Sequence, residues 1–456
     1  MTQIVTVNVS QSAAPTPSNL QQKGAIISQG ATTLTTGTSS LITQVSDLTA
    51  ILQPGLALTS LAWASGTVTA TTTAALPANF PVGAVFPVTI AGVTPAGYNG
   101  QYQATVTGAS TFTYSLATDP GTETAVGTYT ITDELSSQVS TFFAQGSQLS
   151  VYVLELGPSS ASAGITALKT YIDANPNQFY SYLVPRAWDS ESTFYTFIAN
   201  YSALTAKTYF FVTTTNATYT NYTAKETVTL IEAPAIPLTE FSIASLFWVS
   251  LNTKPSSTNR STPFAYSFVY GVTAWPQHGN NATLATYAAA HVNYIASAAE
   301  GGLTNTMVYP GQTSDGRDFS YWYSADWIQI NLDLNISNAI INGSNNPLNP
   351  LYYSQDGINR LQDVATGTFA TAISYGLATG TVASTSLDQT VFQNEVDAGN
   401  FAGKDVVNAI PFTTYTAANP NDYAIGKYNG LSGYYIPARG FGPIVFNLNI
   451  TDFLSQ

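Results

Sequence analysis

Both ends of the chain alternate apolar and polar residues, and both are set off from the body by breakers. Near the start, Val5, Val7 and Val9 alternate with Thr6, Asn8 and Ser10; near the finish, Ile444, Phe446, Leu448 and Ile450 alternate with Val445, Asn447, Asn449 and Thr451. Period-two alternation specifies a strand with one apolar face. Ala-Ala-Pro-Thr-Pro-Ser (13–18) follows the first strand, and Gly440-Phe-Gly-Pro443 precedes the last. A strand cannot leave its N–H and C=O groups unpaired in a dry place. Each end therefore closes a sheet of its own domain or adds to the edge of a neighbour. Burying Ile444, Phe446, Leu448 and Ile450 yields roughly 1.5–3 kcal/mol each, about 6–12 in all. Ordering residues 444–450 costs about 1–2 kcal/mol each in backbone entropy. The two terms nearly cancel. Such an arm is expected to be mobile on a free copy and to firm up in a polymer, where each later contact is intramolecular. The intradomain alternative stays open on this ground alone.

Between the ends, 456 residues and 48.2 kDa correspond to about three domains. The reading is an α/β (α+β) core with a mixed sheet and flanking helices, carrying an inserted small all-β sandwich and extended N- and C-terminal arms. The segments are 1–19 (N-terminal arm), 20–62 (core), 63–131 (insert), 132–325 (core), 326–439 (C-terminal part of the core) and 440–456 (C-terminal arm). The insert is rich in Thr, Ala, Gly and Val, with alternating runs separated by Asn99-Gly100 and Asp119-Pro-Gly121. Val151–Leu156 reads as a buried strand, Ile165, Leu168, Tyr171 and Ile172 as a helix, 179–184 as a strand, Phe194–Tyr201 as a helix and Tyr209–Val212 as a strand. That alternation argues for a partly parallel sheet. Phe264, Tyr266, Phe268, Tyr270 and Val272 alternate as a strand. Asn281 opens a helix whose apolar stripe runs through Leu284, Tyr287, His291, Ile295 and Ala299 to Gly301-Gly302. Residues 327–341 fit strand and helix equally, and Ser354 caps a helix through Ile373.

The chemistry of catalysis is sparse. Charged residues are 8% of the chain, against roughly 25% in average globular proteins. The net charge of −13, with no two basic residues adjacent, argues against a nucleic-acid partner, whose affinity rests on Lys and Arg. Cysteine is absent, which removes disulfides and thiolate chemistry. Gly399-Asn-Phe-Ala-Gly403-Lys404-Asp405 is one residue short of a phosphate loop and has Asp405 where a Ser or Thr is needed, so it reads as a polar loop. His278 and His291 lack metal-ligand spacing. Asp315 and Asp318 lack calcium-loop spacing and read as a turn. Asp133-Glu134 and the pair Glu395 and Asp397 lack a partner that would split their pKa values. No catalytic, cofactor-binding or metal residue is assigned. Met-Thr-Gln-Ile-Val-Thr shows no signal-peptide pattern, and no run reaches the ~18 apolar residues of a membrane span.

Three stretches carry a resemblance. The first is the opening, with Val7-Asn-Val-Ser10, then Ala14-Pro-Thr-Pro-Ser-Asn-Leu20 and Lys23-Gly-Ala-Ile-Ile-Ser-Gln-Gly30. The second is Phe142-Phe-Ala-Gln-Gly146 followed by Val151-Tyr-Val-Leu-Glu-Leu-Gly157. The third is Leu351-Tyr-Tyr-Ser-Gln-Asp-Gly-Ile-Asn-Arg360. They resemble tail sheath subunits of contractile-tailed (myovirus-type) bacteriophages over most of the chain outside 63–131, through diffuse motifs without a catalytic signature. The insert resembles Ig-like modules of phage structural proteins around Tyr98-Asn-Gly100 and Thr111-Phe-Thr-Tyr114. The resemblance implies a non-enzymatic virion protein assembled in the host bacterial cytoplasm. It would form a helical stack of hexameric rings around a tail tube protein, with baseplate and tail terminator proteins as further partners. It also implies no cofactor, no direct nucleic-acid contact and no stable membrane binding. Val5, Val7, Val9, Ile444, Phe446, Leu448 and Ile450 would carry the inter-subunit arm contacts. The alternative is a surface adhesin or receptor-binding protein that recognises glycans through its 28 Tyr, 22 Phe and 6 Trp.

Overall fold

The computed structural model describes residues 19–76, 82–83, 85–131, 133–146, 148–201, 208–214, 218–232, 241–275, 281–300 and 303–440. These form two compact units: 20–254, 261–323 and 439–440 make the larger, and 19, 255–260 and 324–438 the smaller. The architecture is mixed α+β.

In the larger unit, β1 (Gly24–Ser28), β2 (Thr38–Ile42) and the short helix α1 (Val45–Thr49) come first. A run of six strands follows: β3 (Leu56–Ala64), β4 (Thr67–Thr72), β5 (Val85–Thr94), β6 (Gly100–Gly108), β7 (Thr111–Ser115) and β8 (Ala125–Thr130). The chain then alternates: α2 (Asp133–Ala144), β9 (Val151–Glu155), α3 (Ala161–Ala174), β10 (Ser181–Leu183), α4 (Ser192–Ile198), β11 (Tyr209–Thr214), β12 (Val228–Glu232) and α5 (Ile243–Asn252). One six-stranded sheet, in the order β12-β11-β10-β1-β9-β2, collects these strands. All neighbours are parallel except β2, which runs antiparallel to β9. Parallel strands covered on both faces read as continuous apolar runs, and every residue of β1 and β11 is buried. Ser160 caps α3 by accepting from the Ala163 amide at 3.3 Å, and Ile165 and Leu168 point inward. Much of the aromatic load is spent here: Phe194, Phe197, Phe210 and Tyr222 pack edge to face, with Phe197 and Phe210 centroids 5.2 Å apart.

The insert departs from the expected sandwich. Strands β3–β8 close into a barrel in the order β3-β4-β7-β6-β5-β8, beginning at Leu56 rather than residue 63. Closure runs through β8, where Tyr129 pairs with Leu56 on one side and Ile90 on the other. A Cβ at Gly127 (φ 65°) would strike the Ala91 carbonyl oxygen, so glycine lets β8 seal against β5. Six short strands that share one lining of Val68, Val88, Ala104, Phe112 and Tyr129 lose their free edges this way.

Two further expectations fail for one local reason. The strand expected over 264–272 shrinks to β13 (Phe268–Val269), because Tyr266 adopts φ 63°. The stripe from Leu284 to Ala299 is no single helix: α6 (Asn281–Ala289) stops, His291 turns at φ 57°, and β14 (Tyr294–Glu300) follows. β14 pairs antiparallel with β15 (Leu303–Tyr309), and the sheet order is β13-β15-β14.

The ambiguous stretch around 327–341 is helical: α7 spans Phe319–Ser344. The smaller unit continues with α8 (Gln355–Ser374), β16 (Thr381–Thr385), α9 (Gln389–Asp397), β17 (Lys404–Ala409), α10 (Phe412–Ala418), α11 (Pro420–Ala424) and β18 (Leu431–Tyr434). Ser354 Oγ accepts from the Gly357 amide at 3.3 Å and caps α8. The three strands form a sheet in the order β16-β17-β18, parallel on one side of β17 and antiparallel on the other.

Candidate assembly surfaces

The arm residues Val5, Val7, Val9, Ile444, Phe446, Leu448 and Ile450 lie outside the described residues. The described residues do show which sheet edges stay open. In the larger unit, β12 is bridged by Asn293 through Ile231, whereas no described strand pairs with the outer edge of β2. In the smaller unit, neither outer edge of the β16-β17-β18 sheet has a described partner.

That small sheet is held from behind by α8. The Gln362 side-chain amide donates to the carbonyls of Thr385 (2.7 Å) and Val407 (3.0 Å), and Phe369 lies against Gly433. Asn408, fully buried in the central strand, pins the segment after β16: it accepts from the Leu387 amide at 2.7 Å and donates to the Leu387 carbonyl at 3.0 Å. Asp405 is also fully buried. One of its oxygens accepts from the Ile436 amide at 2.9 Å, and the other meets no donor. Burial pushes its carboxyl above the usual range. Sequence reading placed Asp405 in a loop beside Lys404. The loop is real, with Gly399 and Gly403 both at φ 74°, but a strand follows it instead of the helix that a phosphate cradle needs.

The larger unit has the topology in which open α/β sheets hold ligands. Strand β1 lies between β9 and β10, so the strand order reverses here, which places a crevice outside the carboxyl ends of these parallel strands. Glu155 occupies that position itself. One carboxylate oxygen accepts from the amides of Gly30 (2.6 Å) and Gly157 (2.7 Å). The other accepts from the hydroxyls of Ser28 (2.6 Å) and Thr32 (2.7 Å) and from the Thr32 amide (3.2 Å). The donors that would cradle an anion are used on the chain's own side chain. Sequence reading missed this residue, although a carboxylate inside the apolar run Val151–Leu156 was its signal.

The remaining candidates are structural. His291 Nδ1 sits 3.4 Å from Gln312 Oε1, and His278 lies outside the described residues. Asp315 accepts from Thr313 Oγ1 (2.5 Å), Trp322 Nε1 (3.1 Å) and Arg317 (3.3 Å), which is a closed turn. Glu134 accepts from the Arg186 amide at 2.7 Å, and burial raises its pKa. The Arg186 guanidinium lies 4.6 Å from the Phe241 ring centroid, with Nε and Nη2 buried and without acceptors. Glu395 accepts from Asn400, and Asp397 from Gln393. Among the described residues no three His, Asp or Glu side chains gather as metal ligands, and no helix is long and apolar enough to cross a membrane.

No family model matches the chain, and no curated protein matches it. Among solved structures, it is similar to a sheath tail protein from Listeria innocua, at 11% identity and a TM-score of 0.39, over 81% of this chain and 87% of that one.

Proposed function

We propose that this chain is a structural subunit of a contractile phage tail sheath. Copies polymerise helically around a tail tube, linked by terminal strands that add to neighbouring sheets, and the assembly shortens to drive the tube through a host envelope. No nucleotide is hydrolysed; conformational energy stored in the assembly does the work. The observation that carries the reading is the pairing of supply and demand in β-structure. Two alternating segments stand at the ends of the sequence, and among the described residues no strand pairs with either outer edge of the three-stranded sheet in the smaller unit. The self-occupied crevice at Glu155 supports a structural role over a nucleotide-driven one. Partners on this reading are further copies of the chain, a tube protein, and baseplate and terminator proteins.

The test is negative-stain electron microscopy of the purified protein at high concentration. Hollow tubes of regular repeat are expected; a monodisperse monomer under all conditions refutes the proposal. A second reading, glycan recognition by an adhesin, is favoured by one observation: Phe268 and Tyr270 are 53% and 56% exposed beside Tyr266. Specific glycan-array binding by the monomer, abolished by Phe268→Ala, selects it.

A further inference from the structure

We infer that Asp318 and Tyr321 root the C-terminal segment at Gly440, and that this root decides which neighbouring edge the segment reaches. The inference rests on the sheath reading above. The Gly440 amide donates to Asp318 Oδ2 at 3.1 Å, while Asp318 Oδ1 accepts from the Ser320 amide at 2.8 Å in the first turn of α7. A Cβ at position 440 would come within 2.7 Å of both Asp318 Oδ2 and the Pro263 Cβ, so a larger residue there would have to displace the Asp318 carboxylate or the Pro263 ring. The Arg439 guanidinium lies 4.9 Å from the Tyr321 ring centroid. Arg317 covers the same ring at 5.2 Å and is itself paired with Asp315 at 3.3 Å. A charged acceptor, a steric fit for glycine and a cation–π contact thus converge on two consecutive residues. These residues line one cleft of about 180 Å³ together with Ala265 and Pro310. Four residues of chain reach at most roughly 14 Å. A root at Gly440 therefore limits how far from it position 444 can lie, and freeing the root widens that range.

Hydrogen–deuterium exchange on the full-length protein below its assembly concentration reads the root directly. Gly440→Ala and Asp318→Asn are expected to speed exchange at residue 440 about tenfold, the scale of one lost hydrogen bond to a carboxylate, with strands β9–β11 unchanged. Gly440→Ala keeps the Asp318 cap on α7 and serves where Asp318→Asn weakens the fold. Under assembly conditions the same variants are expected to give no tubes, or tubes of altered axial repeat. Unchanged exchange in both variants overturns the inference, as does faster exchange with tubes of wild-type repeat. If the wild type makes no tubes, the sheath reading fails, and the exchange result alone then decides whether Gly440 is rooted.

Discussion

Glu155 and Asp405 are both buried acids in central strands, and they make opposite predictions. Glu155 has a donor for each lone-pair direction it uses. Glu155→Gln turns an acceptor into a donor facing the Thr32 amide or the Gly30 and Gly157 amides. It is expected to destabilise the larger unit by about 2–4 kcal/mol, measured by denaturant unfolding, since hydrogen bonds to charge are the strong ones. Asp405 has an oxygen with no donor and a pKa raised by burial. The folded state therefore keeps a proton that the unfolded chain has released. The group's contribution to stability is greatest below the unfolded pKa, falls as pH rises towards the folded value, and is flat above it. Asp405→Asn retains the acceptor for Ile436 and removes the charge. It is expected to stabilise the smaller unit at neutral pH by on the order of 1 kcal/mol and to flatten that stretch of the pH–stability curve. A loss of stability at pH 7 would mean that the carboxylate has found a donor.

Secondary structure was legible where local chemistry and period agreed. The continuous apolar run of β9, the buried run of β11 and the Ser354 cap of α8 are all written in neighbouring residues. The stretches 264–272 and 284–299 were not, because Tyr266 and His291 adopt left-handed backbone, which a Tyr does not announce and a His signals far more weakly than a glycine. Ring closure of the insert was hidden for a different reason: alternation reveals a strand's faces, and Tyr129 reveals its second partner only in three dimensions. Of the proposed assembly site, the alternation at 5–9 and 444–450 is a sequence expectation that lies outside the described residues, and the lack of a described partner at the outer edges of β16 and β18 is legible only in the sheet order. At this scale the decisive variant lacks 444–456. Near-equal burial and ordering terms for that strand imply a folded monomer with unchanged thermal midpoint and no tubes by electron microscopy. Regular tubes from the truncated chain would remove the C-terminal segment from the exchange.

For the whole molecule, two properties bear on the proposed assembly. The net charge of −13 makes copies repel. Tube formation, followed by light scattering, is therefore expected to accelerate from low salt to about 0.15 M, where the Debye length is about 8 Å; slower assembly with added salt would point to attractive ion pairs between copies. The barrel contributes no open edge, so deleting 56–130 is expected to spare polymerisation. Failure to assemble would show that the barrel makes a required contact. Its first and last strands are neighbours, with Ala57 beside Thr128, so its two connections to the rest of the chain leave side by side. Tension pulled along the core would cross that doorstep without entering the house above it. Evolution could then swap what is built there, larger or smaller, provided the replacement stands on the same narrow footing.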